Sequence, residues 1–299
     1  MKRLAISIGD LNGVGLEIAL RAHHIIKKIV HPLYCVAPEV AKEGAELLGL
    51  TLPDDFSCMG GGYIKISPGV VSMQAGRESF ASFVQALDLC DRGEVDGVVT
   101  LPIHKKAWEL ANISFKGHTD YLRWRYDRDA IMMLGCERLW VALFTEHIPL
   151  REVASRIERT TLADFLVRLA RAHPFTHAVV LGLNPHAGDG GVLGDEEVEI
   201  EAAIALANEQ LGASLFYGPA VPDTAFTPKA LSTTRMIVAL YHDQGLAPLK
   251  ALYFEESINV SLDLPIRRSS VDHGTAFDIA YQGRASLTSY LQAIKYHLD

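Results

Sequence analysis

The chain has 299 residues, with 28 basic against 36 acidic side chains, a formal net charge of −8 and both signs dispersed. That length buries a substantial core in one large or two moderate domains, and the dispersed negative balance excludes the basic footprint of a nucleic-acid binder. No apolar run approaches membrane-spanning length, and the six-residue apolar run before Gly9-Asp10 is too short for a signal peptide. The four cysteines, Cys35, Cys58, Cys90 and Cys136, are widely spaced with no CxxC pair. A reduced, cytoplasmic protein is expected.

In chain order, short apolar runs ending in turn residues alternate with stretches of helical period, the pattern of an α/β protein with a largely parallel sheet. Predicted strands cover 4–9, 33–37, 97–102, 130–134, 139–144, 177–183, 236–242 and 258–262. Most are apolar on both alternations, so helices should cover both faces. Predicted helices cover 14–29, 39–49, 77–92, 104–111, 161–173, 195–211, 273–281 and 287–297. Within 77–92, Phe80, Phe83, Val84, Leu87 and Cys90 form one stripe at three- and four-residue steps, which reads as core. "MGGGYIKISPG" at 59–69 reads as a surface loop, because no lysine follows at the spacing of a phosphate-binding loop. "GDLNGVG" at 9–15 follows the first strand but fails the GxGxxG pattern, since residue 18 is isoleucine. So many strands in this length imply two α/β domains around a cleft, although composition does not mark their boundary.

Ligands of parallel α/β sheets gather beyond the carboxyl ends of the strands. Three histidines stand there: His147 after "LWVALFTE", His186 after "HAVVLGLNP" and His242 at the close of "MIVALY". His118, in "FKGHTDYL", follows a glycine in a loop. Imidazole is the commonest metal ligand, and strand ends projecting into one cleft could bring three together. Against this, the chain holds 12 histidines and no pair has zinc-motif spacing, and a single strand-end histidine is ordinarily a satisfied polar residue.

The neighbours of these histidines carry further candidates. Asp243 and Gln244 suit holding His242 or moving a proton, with Lys250 nearby; a polar turn with a solvated lysine accounts for the same pattern. In "LGLNPHAGDGGVLGDEE", 181–197, the glycines after His186 let backbone approach a ligand, while the acidic run from Asp195 reads as a first helical turn serving the helix dipole. Arg267 and Arg268 beside Ser269 and Ser270 could grip a phosphate or carboxylate. "DHGTAFDIA", 272–280, sets a Gly-Thr turn at a predicted helix start, where an anion or nucleotide is favoured; an Asp-capped helix explains it equally.

With these segments laid out, the sequence resembles the PdxA family, the 4-hydroxythreonine-4-phosphate dehydrogenases of vitamin B6 synthesis. The resemblance runs nearly end to end through "ISIGDLNGVGLEI", "TLPIHKKAW", "FKGHTDYL", "MMLG", "GLNPHAGDGGVLGDEE", "PDTAF", "YHDQGLAPLK" and "NVSLDLPIRRSSVDHGTAFDIA". It implies two α/β/α domains around a cleft, as in isocitrate and isopropylmalate dehydrogenases, with 1–115 and 259–299 forming the first domain and 116–258 the second. It also implies a homodimer, a divalent metal (Zn, Mg or Co) on His147, His186 and His242, the last from the partner subunit, and NAD or NADP as oxidant. Substrate contacts carry over to His118, Thr119, Lys250, Asn259 and Arg268, and cofactor contacts to His273, Gly274, Thr275 and Asp278. Leu11-Asn12 stand where the family usually has Pro-Ala, and Asp189 where it commonly has Glu; trimmed loops are expected around 50–70.

The implied reaction is oxidation of 4-phosphooxy-L-threonine to 2-amino-3-oxo-4-phosphooxybutanoate, which decarboxylates to 3-amino-2-oxopropyl phosphate. A divalent ion acting as Lewis acid suits loss of the hydroxyl proton as hydride leaves. Asp243 is the candidate base. Two other readings stay open: a paralogous metal-dependent dehydrogenase acting on another phosphorylated hydroxy acid, and a non-catalytic binding protein on the same scaffold. Retention of the three histidines with Lys250, Asn259 and Arg268 counts against the latter.

Overall fold

The structure, a computed structural model, describes residues 1–60 and 62–298. Gly61, within the 59–69 segment read as a surface loop, lies outside the described residues. The first stretch of chain runs β1 (Arg3–Ser7), α1 (Gly15–Ile26), β2 (His31–Cys35), α2 (Pro38–Leu47), α3 (Met73–Asp91), β3 (Gly97–Thr100), α4 (Lys105–Leu110) and α5 (His118–Tyr126). The middle follows as β4 (Ile131–Cys136), β5 (Leu139–Leu143), α6 (Arg159–Ala172), β6 (Ala178–Leu181), α7 (Glu196–Leu211), β7 (Phe216–Ala220), α8 (Pro222–Ala225), α9 (Pro228–Leu231), β8 (Met236–Ala239) and α10 (His242–Tyr253). The chain closes with β9 (Ile258–Leu262), β10 (Arg268–Val271) and α11 (Thr288–Lys295). No described helix is long and apolar enough to cross a membrane.

Two compact units result, one of Met1–Arg128, Ile258–Val260 and Leu264–Asp299, the other of Asp129–Ser257 and Ser261–Asp263. In the first unit the strand order is β2-β1-β3-β10-β9, with β1–β2, β1–β3 and β3–β10 parallel. Its core packs Ala5 and Val98 of the sheet against Phe83 and Leu87 of α3 and Trp108 of α4. The predicted α3 stripe therefore faces inward, with Phe80, Val84 and Cys90 partly buried against the same cluster. Each large apolar side chain buried this way contributes roughly 1.5–3 kcal/mol. The buried Trp108 indole N–H donates to Ser79 Oγ at 2.7 Å, so the ring enters the core without an orphaned donor. Helix α3 begins four residues before its predicted start, because Ser72 caps it by accepting the Ala75 N–H at 3.1 Å.

In the second unit the order is β4-β5-β8-β6-β7. The β5–β8, β8–β6 and β6–β7 pairs are parallel, while β4 and β5 form an antiparallel hairpin. Leu139, Val141 and Ile237 of the strands pack with Leu246 and Leu249 of α10.

Several local expectations are corrected. The strand predicted to run to residue 242 stops at Ala239, and His242 opens α10. Strands β7 and β10 and helices α5 and α10 stand where neither was predicted. The helix predicted over 273–281 is a single 3-10 turn, Phe277–Ile279. Ala276 is left-handed there (φ 42°), and the Thr275 carbonyl accepts the Val14 N–H at 3.0 Å, so no helix can nucleate from the Gly-Thr turn.

At the carboxyl ends of β1 and β3 the backbones touch. Gly9 has φ +74°, and a Cβ there would lie 2.2 Å from the Pro102 carbonyl oxygen. Only glycine fits, and the close approach lets the Asp10 N–H reach that carbonyl at 2.8 Å.

Candidate active site

In the first unit Arg268, the first residue of β10, meets Thr100 at the end of β3 and Asn259 of β9. The Arg268 side chain is buried, with Nη2 and Nε donating to Thr100 Oγ1 at 2.7 and 3.2 Å and Nη1 reaching Asn259 Oδ1 at 3.5 Å. Burial lowers its pKa to about 9. The guanidinium is thus held in one orientation beside an amide, as a fork suited to a carboxylate or phosphate. His118, the first residue of α5, lies edge-on to Phe83 at 4.5 Å and to Trp108 at 5.9 Å between ring centroids. Desolvation first, and the charge of Arg268 second, hold its pKa well below the ordinary histidine range. Its Nε2 is shielded from solvent and lacks a hydrogen-bond partner among the described residues. A neutral imidazole with one unspent nitrogen therefore stands near the fixed guanidinium. Thr119 follows it in the first turn of α5.

In the second unit His242, His147 and His186 lie three, four and five residues beyond the ends of β8, β5 and β6. The ring centroids of His147 and His242 are 5.5 Å apart. His242 Nδ1 is 2.7 Å from Asp243 Oδ1, and His147 Nδ1 is 3.2 Å from Glu146 Oε2. Contact through Nδ1 leaves Nε2 of each ring as the atom available to a metal. Among the described residues no group of three His, Cys, Asp or Glu comes together as a metal site within the one chain. Gln244 ties this edge together: its Oε1 accepts the Leu240 N–H and its Nε2 donates to the Gly182 carbonyl, both at 2.7 Å. Lys250 sits two turns further along α10, its ammonium 5.9 Å from the Phe254 ring centroid.

The 273–278 segment is a loop. The nearest ring nitrogen contact of His273 is its Nδ1 with the Gly274 carbonyl oxygen at 3.0 Å, and its Nε2 is shielded and unpartnered among the described residues. A Cβ on Gly13 would lie 2.7 Å from the Thr275 carbonyl oxygen, so this loop packs directly on the turn between β1 and α1.

Buried carboxylates escaped the sequence reading, Asp10 and Glu197 among them. Asp10 is fully buried; Oδ1 accepts the Asn12 N–H at 2.9 Å, while Oδ2 has no partner among the described residues. Burial raises its pKa to about 6 against the opposing effects of that hydrogen bond and of His104. Glu197, read only as part of an acidic first turn, is 6% exposed and turned back onto the loop that carries His186. Nothing in the linear pattern separates it from Glu196; the signal for Asp10 was its place directly after the first strand.

The family model described as "Pyridoxal phosphate biosynthetic protein PdxA" matches residues 26–297. The 4-hydroxythreonine-4-phosphate dehydrogenase of Sulfurimonas denitrificans is 53% identical over 98% of this chain and 96% of its own length. That of Campylobacter fetus is 48% identical over 99% and 97%. A crystal structure of a 4-hydroxythreonine-4-phosphate dehydrogenase from Burkholderia phymatum superposes with a TM-score of 0.82 at 29% identity, covering 100% of this chain and 98% of that one. The chain belongs to the PdxA family.

Proposed function

We propose that the chain is a 4-hydroxythreonine-4-phosphate dehydrogenase. It oxidises the hydroxyl of 4-phosphooxy-L-threonine with NAD or NADP, and the resulting 2-amino-3-oxo-4-phosphooxybutanoate loses CO2 to leave 3-amino-2-oxopropyl phosphate, a step toward pyridoxine 5'-phosphate. The observation that carries this reading is 53% identity, across nearly the whole of both chains, to a relative named for that activity.

The residues present suit the reaction. Arg268 and the neutral His118 offer a fixed cationic fork and an uncharged nitrogen for the phosphate and carboxylate, with Thr119, Asn259 and Lys250 completing the substrate contacts. His147, His186 and His242 are assigned to a divalent ion, Zn, Mg or Co; an Nδ1 held against a carboxylate, as in His147 and in His242, leaves Nε2 for such a group. When bound, the ion supplies Lewis acidity at the hydroxyl, and the nicotinamide takes the hydride. Asp243 fixes the His242 ring, a role its 2.7 Å contact favours over that of the base. His273, Gly274, Thr275 and Asp278 are assigned to the cofactor's nucleotide, on a loop held by main-chain contact with Val14.

A homodimer completes the site, with His242 supplied by the second copy. One feature supports it: the second unit exposes Leu150, Val192, Leu193, Val198, Tyr217 and Phe254. We place the enzyme in the cytoplasm, where its free cysteines stay reduced.

Purified protein given 4-phosphooxy-L-threonine, NAD or NADP and one of these ions is expected to form reduced nicotinamide and CO2 in equal amounts. Reduction with a different phosphorylated hydroxy acid, and none with this one, sinks the substrate assignment.

A further inference from the structure

Between β6 and α7 the backbone takes a rare course. His186 (φ 53°, ψ 27°), Ala187 (51°, 50°), Gly188 (78°, −8°), Asp189 (46°, 50°) and Gly190 (67°, 25°) are five consecutive left-handed residues. L-residues visit this region singly, and a run of them is unfavourable at every position but the glycines. A segment of this kind persists only where its surroundings over-determine it.

The surroundings here are the Glu197 carboxylate. Its Oε1 accepts the backbone N–H groups of Leu183 and Asn184 at 2.9 and 2.8 Å, and its Oε2 accepts from Asn184 Nδ2 at 2.9 Å. Asn184 Nδ2 also donates to Glu196 Oε2 at 2.7 Å. A Cβ on Gly188 would stand 2.7 Å from Glu197 Oε2, so the carboxylate fills the hollow beneath the turn. Service to the helix dipole alone calls for neither burial nor acceptance of main-chain donors from the preceding loop.

We propose that Glu197 is a positioning residue: by clamping Leu183 and Asn184 it locks the left-handed turn that presents His186 to the divalent ion. This rests on the reading of His186 as a metal ligand. Glu197 is not itself assigned to the ion. It sets the direction of the ligand through the backbone, in the way that partners behind metal-bound imidazoles set theirs.

The test is Co2+ titration of the full-length, metal-free protein, followed by visible absorption, beside thermal unfolding of the same sample. Glu197→Gln keeps the volume and an acceptor for the two backbone N–H groups but turns an N–H toward Asn184 Nδ2. It is expected to weaken Co2+ binding about 10–100-fold while the metal-free unfolding midpoint stays near that of the parent. Asn184→Ala, which spares both backbone bonds, is expected to weaken binding less and in the same direction, and it decides the matter if the first variant does not fold. Parental Co2+ affinity in the folded variants, with earlier unfolding, overturns the proposal and leaves Glu197 a stabilising residue only. His186→Ala separates the two claims. If it too binds Co2+ like the parent, the ligand assignment fails; if it alone loses binding, only the positioning role fails.

Discussion

The imidazoles of His147 and His242 lie with ring centroids 5.5 Å apart, each with its Nδ1 against the carboxylate of the adjoining acidic residue. In that arrangement the Asp243 carboxylate is placed to set both the orientation and the tautomer of His242. Asp243→Ala is therefore expected to lower Zn2+ affinity about 10-fold or more, measured by calorimetric titration of metal-free protein. Unchanged affinity would mean that the 2.7 Å contact does not orient a ligand.

The proposed sharing of a metal between subunits has its own signature. His186→Ala and His242→Ala are each expected to be inactive alone. Unfolded together and refolded, they form mixed dimers in which one site keeps all three native histidines, and about a quarter of parental activity should return. No recovery in a sample shown to contain mixed dimers places all three ligands in one chain.

The substrate-binding role proposed for Arg268 rests on geometry as much as charge. Arg268→Lys retains a cation but loses the fork anchored on Thr100 and the amide contact to Asn259. Loss of a charge-assisted bond worth about 1.5–3 kcal/mol raises KM roughly 10- to 100-fold. Steady-state kinetics with varied substrate check this; a change confined to kcat would move Arg268 out of substrate binding.

Asp10 imposes a pH dependence on stability. Its folded pKa, raised to about 6, exceeds the ordinary value of 3.8, so the unfolded chain ionises first as pH rises. The contribution of Asp10 is neutral to stability below pH 3.8, becomes destabilising between about 4 and 6, and stays so above. Complete burial lets the full gap count, about 3 kcal/mol. Asp10→Asn keeps an acceptor for the Asn12 N–H and is expected to stabilise the protein at pH 7.5 and to match the parent near pH 4. Denaturant unfolding at both values measures the difference, and an equal effect at the two would contradict it.

What the sequence disclosed follows from how strongly each feature repeats. Fully apolar runs such as "LAISIG" and "LWVALF" announce buried strands, and the Phe83–Leu87 stripe announces α3. Strand β10, "RSSV", carries no apolar run, because its polar residues are satisfied inside the fold, as by Ser270 Oγ on the Thr100 carbonyl at 3.0 Å. Helix α5, "HTDYLRWRY", buries only Tyr121 and Leu122, too few for a visible period. At the site, histidines and arginine were legible as residue types that seldom serve packing. The burial of Asp10 and the inward turn of Glu197 depend on contacts between distant segments, which spacing along the chain does not encode.

The most direct measurement is nicotinamide reduction by chelator-treated protein supplied with 4-phosphooxy-L-threonine, before and after a divalent ion is restored. Reduction that is absent without the ion, returns with Zn2+, Co2+ or Mg2+, and does not return in His186→Ala is the expected result. Full-rate reduction in the metal-free protein, or none with any of the ions, would contradict the assignment of this site to metal-assisted oxidation of that substrate.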